Sequence, residues 1–246
     1  MSKTTMFRKI GGIPCLFLEN RGTLGFTIVI VPGLRINLRE VFRIAFYLLE
    51  SFKGIKVCIP LFFLEKWRNL GEFLEKIGYF SLELRKILEK ISGEKIVIGF
   101  SVGCVVTLNA CKRVQHIRYL ILACGGSIIV NLLSNKDFIA FFGLHRGNIA
   151  TEVREKRIEN LLMEYDPYYT KFVELHDKVV HLILCEKGLF SKTSTMVIGK
   201  NMEKIGKKIN LSVKMHYSSD YLKLPFVISK ILTEIINEKY IMEKLS

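Results

Sequence analysis

One short string constrains the fold more than any other part of the chain. Gly99, Ser101 and Gly103 alternate with single residues, directly after an apolar run at 95–98 and directly before an apolar stretch at 102–112. A β-branched run of this kind is typical of a strand that is buried on both faces. The two glycines permit a turn and a close approach that side chains would obstruct. The string therefore predicts a strand, a sharp turn with Ser101 at its tip, and a helix.

Strands and helices alternate along the rest of the chain. Further apolar runs predict strands at residues 25–31, 56–59, 116–123, 179–185 and 211–216. Amphipathic segments predict helices at residues 37–52, 70–91, 193–206 and 225–236. No repeat or linker divides the 246 residues, and this length fits one domain. The sequence therefore predicts an α/β fold in which a mostly parallel central sheet is flanked by helices, within a single domain spanning residues 1–246.

The composition restricts the partners. Thirty-seven Lys and Arg against 23 Asp and Glu give a formal net charge of +14, which favours anionic partners. The basic clusters are short and lack interleaved aromatic residues, so no dedicated nucleic-acid site is predicted. No apolar run is long enough to span a membrane. Arg35, Arg39 and Arg43 repeat every four residues, a spacing that fits either a stripe for anionic groups or an ordinary solvated helix face.

The cysteines and the first residues point to a cytoplasmic protein. The six cysteines show no C-x-x-C spacing, and Cys58, Cys124 and Cys185 fall inside apolar runs typical of buried strands, where thiols behave as small apolar groups. The apolar stretch at 13–18 is too short for a signal peptide. Glutamine occurs once, as Gln115, a bias that resembles proteins from hot environments.

These features together identify the chain as similar to the α/β-hydrolase superfamily, from residue 25 to the last predicted helix. The resemblance makes Gly99 to Gly103 the nucleophile elbow, with Ser101 as the nucleophile. It places the oxyanion-hole amides on Val102, which follows the serine, and on Leu34, after the first central strand. It also implies that the helical block at 125–171 is a cap inserted over the site.

The resemblance requires a histidine at the carboxyl ends of the strands. His116 and His176 precede their strands, His181 lies within one, and His145 belongs to the 125–171 insertion. His216 is the remaining histidine, and the sequence places it at the exit of the last strand. We therefore predict that His216 is the general base.

The acid of the predicted triad has two candidates. Relatives carry an Asp in the loop after the penultimate strand, where this chain has Gly188 and where Glu186 is the nearest carboxylate. Asp220, which follows the last strand, is the alternative.

The predicted activity is that of a serine hydrolase that cleaves a small carboxylic ester or thioester through an acyl-enzyme. Two alternatives remain open: a catalytically degenerate hydrolase that acts as a binding module, and an acyltransferase on the same fold. No cofactor is implied. The histidines and cysteines lack the spacing of metal ligands, and the oligomeric state is left open.

Overall fold

The computed structural model describes residues 4–20, 22, 24–33, 38–62, 69–112, 114, 116–141, 149, 151, 153–169, 172–186, 190–219 and 221–245. Its strands are β1 Thr4–Ile10, β2 Ile13–Glu19, β3 Thr27–Val31, β4 Lys56–Pro60, β5 Lys95–Phe100, β6 Ile117–Ala123, β7 Val179–Cys185 and β8 Ser212–Ser218. Its α-helices are α1 Leu38–Ser51, α2 Leu70–Lys90, α3 Val102–Cys111, α4 Ile128–Ser134, α5 Lys136–Phe141, α6 Lys156–Tyr165, α7 Lys192–Ile209 and α8 Leu224–Leu245.

The eight strands form one sheet in the order β1-β2-β4-β3-β5-β6-β7-β8. The strands from β4 to β8 in this order run parallel, while β2 is antiparallel to both β1 and β4. The predicted mostly parallel sheet with flanking helices is confirmed. The β1–β2 hairpin extends this sheet at one edge and was not predicted.

Helices cover both faces of the sheet because each central strand is buried on both sides. On one face Val97 belongs to a cluster with Phe73 of α2 and Val105 of α3. On the other face Ile98 belongs to a cluster with Leu48 of α1 and Ile231 of α8. Burying one such side chain stabilises the fold by about 1.5–3 kcal/mol, so the two clusters provide most of the driving force for folding.

The insertion after β6 contributes α4, α5 and α6. α6 lies along α2: Ile158 is buried there, and a side chain at Gly71 would meet it. About two turns further along α6, the ring of Tyr165 occupies the space beside Gly78, where an added Cβ would lie 2.6 Å from its Cζ atom. Gly78 lies inside α2, and its small size admits the ring of Tyr165.

Candidate active site

Ser101 lies in the turn between β5 and α3, as the sequence predicts. Its backbone has φ 51° and ψ −121°, a region that residues with a Cβ rarely adopt. Such a conformation costs about 1–3 kcal/mol and persists only where the surrounding structure enforces it. The Ser101 N–H donates to the carbonyl of Ala123 at 2.9 Å, and its carbonyl accepts from Cys104 at 3.0 Å. The end of β6 and the first turn of α3 therefore hold the strained turn from two sides.

Glycines provide the space that this turn requires. A Cβ on Gly103 would lie 2.6 Å from the carbonyl oxygen of Val31, and one on Gly33 would lie 2.8 Å from the Cβ of Ser101. Real Cβ atoms do not approach this closely, so β3 and the elbow can pack together only with glycine at both positions. The two segments meet at the carboxyl ends of β3 and β5, where open parallel sheets hold their sites.

Val102 and Leu34 are the two predicted oxyanion donors. Val102 is the first residue of α3, and the first N–H groups of a helix have no carbonyl partner within that helix. Its amide therefore remains the predicted donor beside Ser101. Leu34 lies outside the described residues.

His216 does not lie at the exit of the last strand. β8 continues two residues further, to Ser218, so the predicted strand end at residue 216 is wrong. In the sheet register Phe100 pairs with Ala123, Ala123 with Ile183, and Ile183 with His216. Adjacent strands are about 4.8 Å apart, so three strand spacings, or roughly 14 Å, separate His216 from the residue before Ser101. The structure does not bring the two predicted residues together.

His216 is instead bonded to a second histidine. His181 Nδ1 and His216 Nε2 are 2.9 Å apart, and the two rings lie within 19° of parallel. His181 is fully buried, as the sequence predicts for a core histidine, and burial lowers its pKa to about 4. Burial also lowers the pKa of His216. His216 is in register with Ile183, so the His181 and His216 side chains point to the face covered by α8. Of the two facing nitrogens, one donates its N–H and the other accepts.

Of the two predicted acids, only Glu186 lies within the described residues. Glu186 is exposed, and Tyr217 donates its hydroxyl proton to the carboxylate, which raises the pKa of Tyr217. Lys192 Nζ lies 5.1 Å from the centre of the same Tyr217 ring. Glu186 thus belongs to a surface cluster at the ends of β7 and β8. Asp220 lies outside the described residues.

No hydrogen bond joins Ser101 Oγ to any side chain in the described part of the chain. His116 is exposed before β6, and His176 is exposed before β7, where it pairs with Asp177. His145 lies outside the described residues. Within the described residues, Ser101 is therefore a strained, buried serine without a histidine partner.

A disulfide links the carboxyl ends of β6 and β7. Cys124, which directly follows β6, is bonded to Cys185, the last residue of β7, with their Cα atoms 5.0 Å apart. The interpretation of these two residues as isolated thiols is therefore wrong. Cys15, Cys58, Cys104 and Cys111 are free and buried. Both cysteines lie in apolar runs that are typical of strands. Their pairing depends on the register of β6 against β7, which the sequence does not show.

A buried carboxylate near the site was missed by the sequence analysis. Asp166 follows α6, is fully buried, and accepts hydrogen bonds from the backbone N–H groups of Ile129 at 2.6 Å and Tyr168 at 2.8 Å. It therefore caps the beginning of α4, while burial raises its pKa to about 6. The signal that could have indicated it is an aspartate directly before Pro167, since a residue before proline is biased away from the helical conformation and Asp166 directly follows α6.

Hydroxyl and amide groups fix the start of the insertion to α7. Ser194 Oγ accepts from the N–H of Ser127 at 2.7 Å and from the side-chain amide of Asn131 at the same distance. Thr195 donates its hydroxyl proton to the carbonyl of Gly125. A Cβ on Gly125 would lie 3.2 Å from the carbonyl oxygen of Ser101. The insertion therefore begins directly beside the elbow, although its role as a cap stays a prediction.

An apolar crevice lies on the other side of the elbow. It begins beside Pro32, Val102 and Gly103 and runs between α2 and α3. Its remaining walls are Val31, Phe62, Phe73, Ile77, Phe80 and Val106. Within the described residues there is no group of three His, Cys, Asp or Glu side chains that could hold a metal ion, and no helix is long and apolar enough to cross a membrane.

No protein-family model and no curated protein sequence matches the chain. Among solved structures, the chain is similar to the thioesterase domain from the curacin biosynthetic pathway, with 15% identity and a TM-score of 0.56 over 95% of this chain and 100% of that domain. It is similar to MGS-MChE2, an alpha/beta hydrolase from the metagenome of lagoon sediments at Mar Chica, Morocco, with 15% identity and a TM-score of 0.54 over 95% and 99%. The similarity to TT1662 from Thermus thermophilus has 12% identity and a TM-score of 0.68 over 96% and 99%. These similarities extend over nearly the whole of each chain, and at such identities they concern the fold.

Proposed function

We propose that this chain, which has the α/β-hydrolase fold, is a serine hydrolase that cleaves a carboxylic ester or thioester at Ser101. The observation that carries the proposal is the backbone of Ser101. A positive φ costs free energy at a serine, and Gly33 and Gly103 clear the space that this turn needs. Strain of this kind concentrates at functional sites, since a serine in an ordinary turn needs none of it.

The chemistry would proceed in two steps. Ser101 Oγ attacks the acyl carbon and loses its proton to a base, and the alcohol or thiol leaves with a proton as the acyl-enzyme forms. Water then attacks the acyl-enzyme, releases the carboxylic acid and restores the serine. The Val102 amide would stabilise the oxyanion in both steps.

The test is reaction with a fluorophosphonate probe, which phosphonylates an activated serine with loss of fluoride. We expect the probe to label wild type, the adduct to map to Ser101, and Ser101→Ala to abolish it. Ser81→Ala is the matched control, because Ser81 and Ser101 are both only 5% exposed. Labelling that is equal in wild type and Ser101→Ala would refute the proposal.

A binding module is the second candidate, and one observation favours it. The histidines within the described residues all lie away from Ser101, and His216 is engaged by His181. Alanine replacement of each of the five histidines, including His145, distinguishes the candidates. An enzyme of this type should lose about a thousandfold in labelling rate when its base is removed. If none of the five replacements slows the labelling, the binding module becomes the better interpretation.

A further inference from the structure

A mixed apolar and basic surface lies on the sheet face opposite α3. It is formed by residues 38–47 of α1 and by residues 222–230, which comprise the turn before α8 and its first residues, and we call it the α1/α8 surface. The ring centres of Tyr47 and Phe226 are 5.3 Å apart, so the two helices form one continuous surface. Phe42 and Phe46 extend it along α1, with ring centres 6.5 Å apart.

The exposed residues of this surface are of only two kinds. Four are large and apolar: Leu38 and Phe46 on α1, and Leu222 and Phe226 at α8, of which the last two are each 63% exposed. The other exposed residues in the two segments are all basic, namely Arg39, Arg43, Lys223 and Lys230. The single acidic residue of these segments, Glu40, is half-buried. Exposed large apolar side chains that cluster with one sign of charge mark an interaction surface.

Two other exposed helix faces in the described part of the chain, on α7 and α2, lack this combination. The last turns of α7 expose Glu203, Lys204, Lys207 and Lys208, and no apolar residue. The outer face of α2 exposes Tyr79 and Leu82, but it also exposes Glu75, Lys86 and Glu89. The α1/α8 surface therefore does not follow from the net charge of the protein alone.

We propose that the α1/α8 surface binds reversibly to an anionic lipid bilayer. Phenylalanine and leucine enter the boundary between headgroups and acyl chains, while arginine and lysine remain with the anionic headgroups. The surface presents both kinds of side chain side by side and in equal number. A second copy of this chain would bring the same four basic residues together, so self-association is disfavoured by repulsion. The attachment is peripheral and does not depend on the chemistry of Ser101.

Vesicle co-sedimentation of the full chain tests this proposal. The vesicles are phosphatidylcholine, alone or with about a third phosphatidylserine, a content that attracts basic segments. We expect binding to the anionic vesicles, little binding to the neutral ones, and loss of binding at high salt. Ser101→Ala should bind as wild type does.

Matched variants separate the surface from general attraction. Leu222→Ala with Phe226→Ala, and separately Arg43→Gln with Lys230→Gln, should each reduce the partition coefficient by about tenfold. The controls remove the same kinds of side chain elsewhere: Tyr79→Ala with Leu82→Ala, and Lys207→Gln with Lys208→Gln, and both should bind as wild type does.

Three results would overturn the proposal. These are an absence of binding to anionic vesicles, equal losses in test and control pairs, or a dimer in solution that only the Leu222/Phe226 pair dissociates. The last result would assign the surface to a second copy of the chain.

Discussion

The centre of the sheet agrees with the site predicted from the sequence more closely than its β7–β8 edge does. At the centre, β3, β5 and β6 hold Ser101 in a strained turn with glycines that leave room for nothing larger. At the edge, His216 lies inside β8 and faces His181, and Glu186 is bonded to Tyr217. Residues that are close in sequence form the turn at Ser101, whereas a base on β8 would have to reach Ser101 across three strand spacings. In the part of the chain that the structure describes, the turn predicted for the nucleophile is therefore present, whereas the predicted base His216 is bonded to His181 instead.

The largest expected effect concerns the disulfide that joins these two regions. Cys124 and Cys185 close a loop with a sequence separation of 61. In the chain-entropy account, a disulfide that closes a loop of this length stabilises the fold by about 4 kcal/mol. Cys124→Ser with Cys185→Ser should therefore lower the free energy of unfolding by about that amount in denaturant titrations.

Thiol counting provides the control for this variant. The denatured, unreduced wild type should show four free thiols, since four of the six cysteines are unpaired. The same replacement at Cys111, which is buried and free, leaves the bond intact and accounts for lost packing alone. Six free thiols in freshly purified wild type, with equal stability of the variant, would show that the two regions are not linked.

The next effect concerns Asp166, which fixes α4 beside the elbow. Burial raises its pKa to about 6, above the value in an unfolded chain, so between about pH 4 and pH 6 the folded protein binds more protons. The free energy of unfolding should therefore fall as pH rises through this range, by roughly 3 kcal/mol in total. Asp166→Asn cannot titrate and should lack this part of the pH dependence.

Unfolding of both proteins in denaturant at several pH values measures the difference. Asp137→Asn is the control, because Asp137 is exposed at the start of α5. Parallel stability curves for wild type and Asp166→Asn would show that Asp166 does not carry the expected pH dependence.

The glycine after the nucleophile should show a smaller effect. Gly103→Ala would place a Cβ 2.6 Å from the carbonyl of Val31 and 2.7 Å from that of Pro32, both backbone atoms that cannot rotate away. We expect the free energy of unfolding to fall by about 2 kcal/mol. We also expect probe labelling at Ser101 to be lost. Gly199→Ala is the control, because its Cβ would lie 3.1 Å from the flexible ends of Leu182 and Met215. Equal, small losses for both variants would show that the elbow does not depend on this clearance.

The sequence predicted the elements and the elbow because both depend on local patterns. β-branched runs, helical stripes and the glycine spacing around Ser101 are visible within a few residues of each other. The predicted last strand ends two residues too early, since β8 continues through Tyr217 and Ser218. The Cys124–Cys185 bond and the cap on α4 by Asp166 join distant segments. Such contacts depend on register and packing, which leave no local pattern.

The smallest effect, and the sharpest test of the comparison, is expected from His216→Ala. If His216 were the base, its removal would slow turnover or labelling by about a thousandfold or more. The geometry predicts a change below about tenfold, since His216 Nε2 contacts His181 and three strand spacings separate it from β5. Stability should fall by about 1–3 kcal/mol, because removal of His216 leaves the fully buried His181 without the partner of its Nδ1 atom. His176→Ala, at an exposed position before β7, is the matched control. A thousandfold loss of labelling in a His216→Ala protein that is still folded would mean that β8 rearranges to present His216 to Ser101.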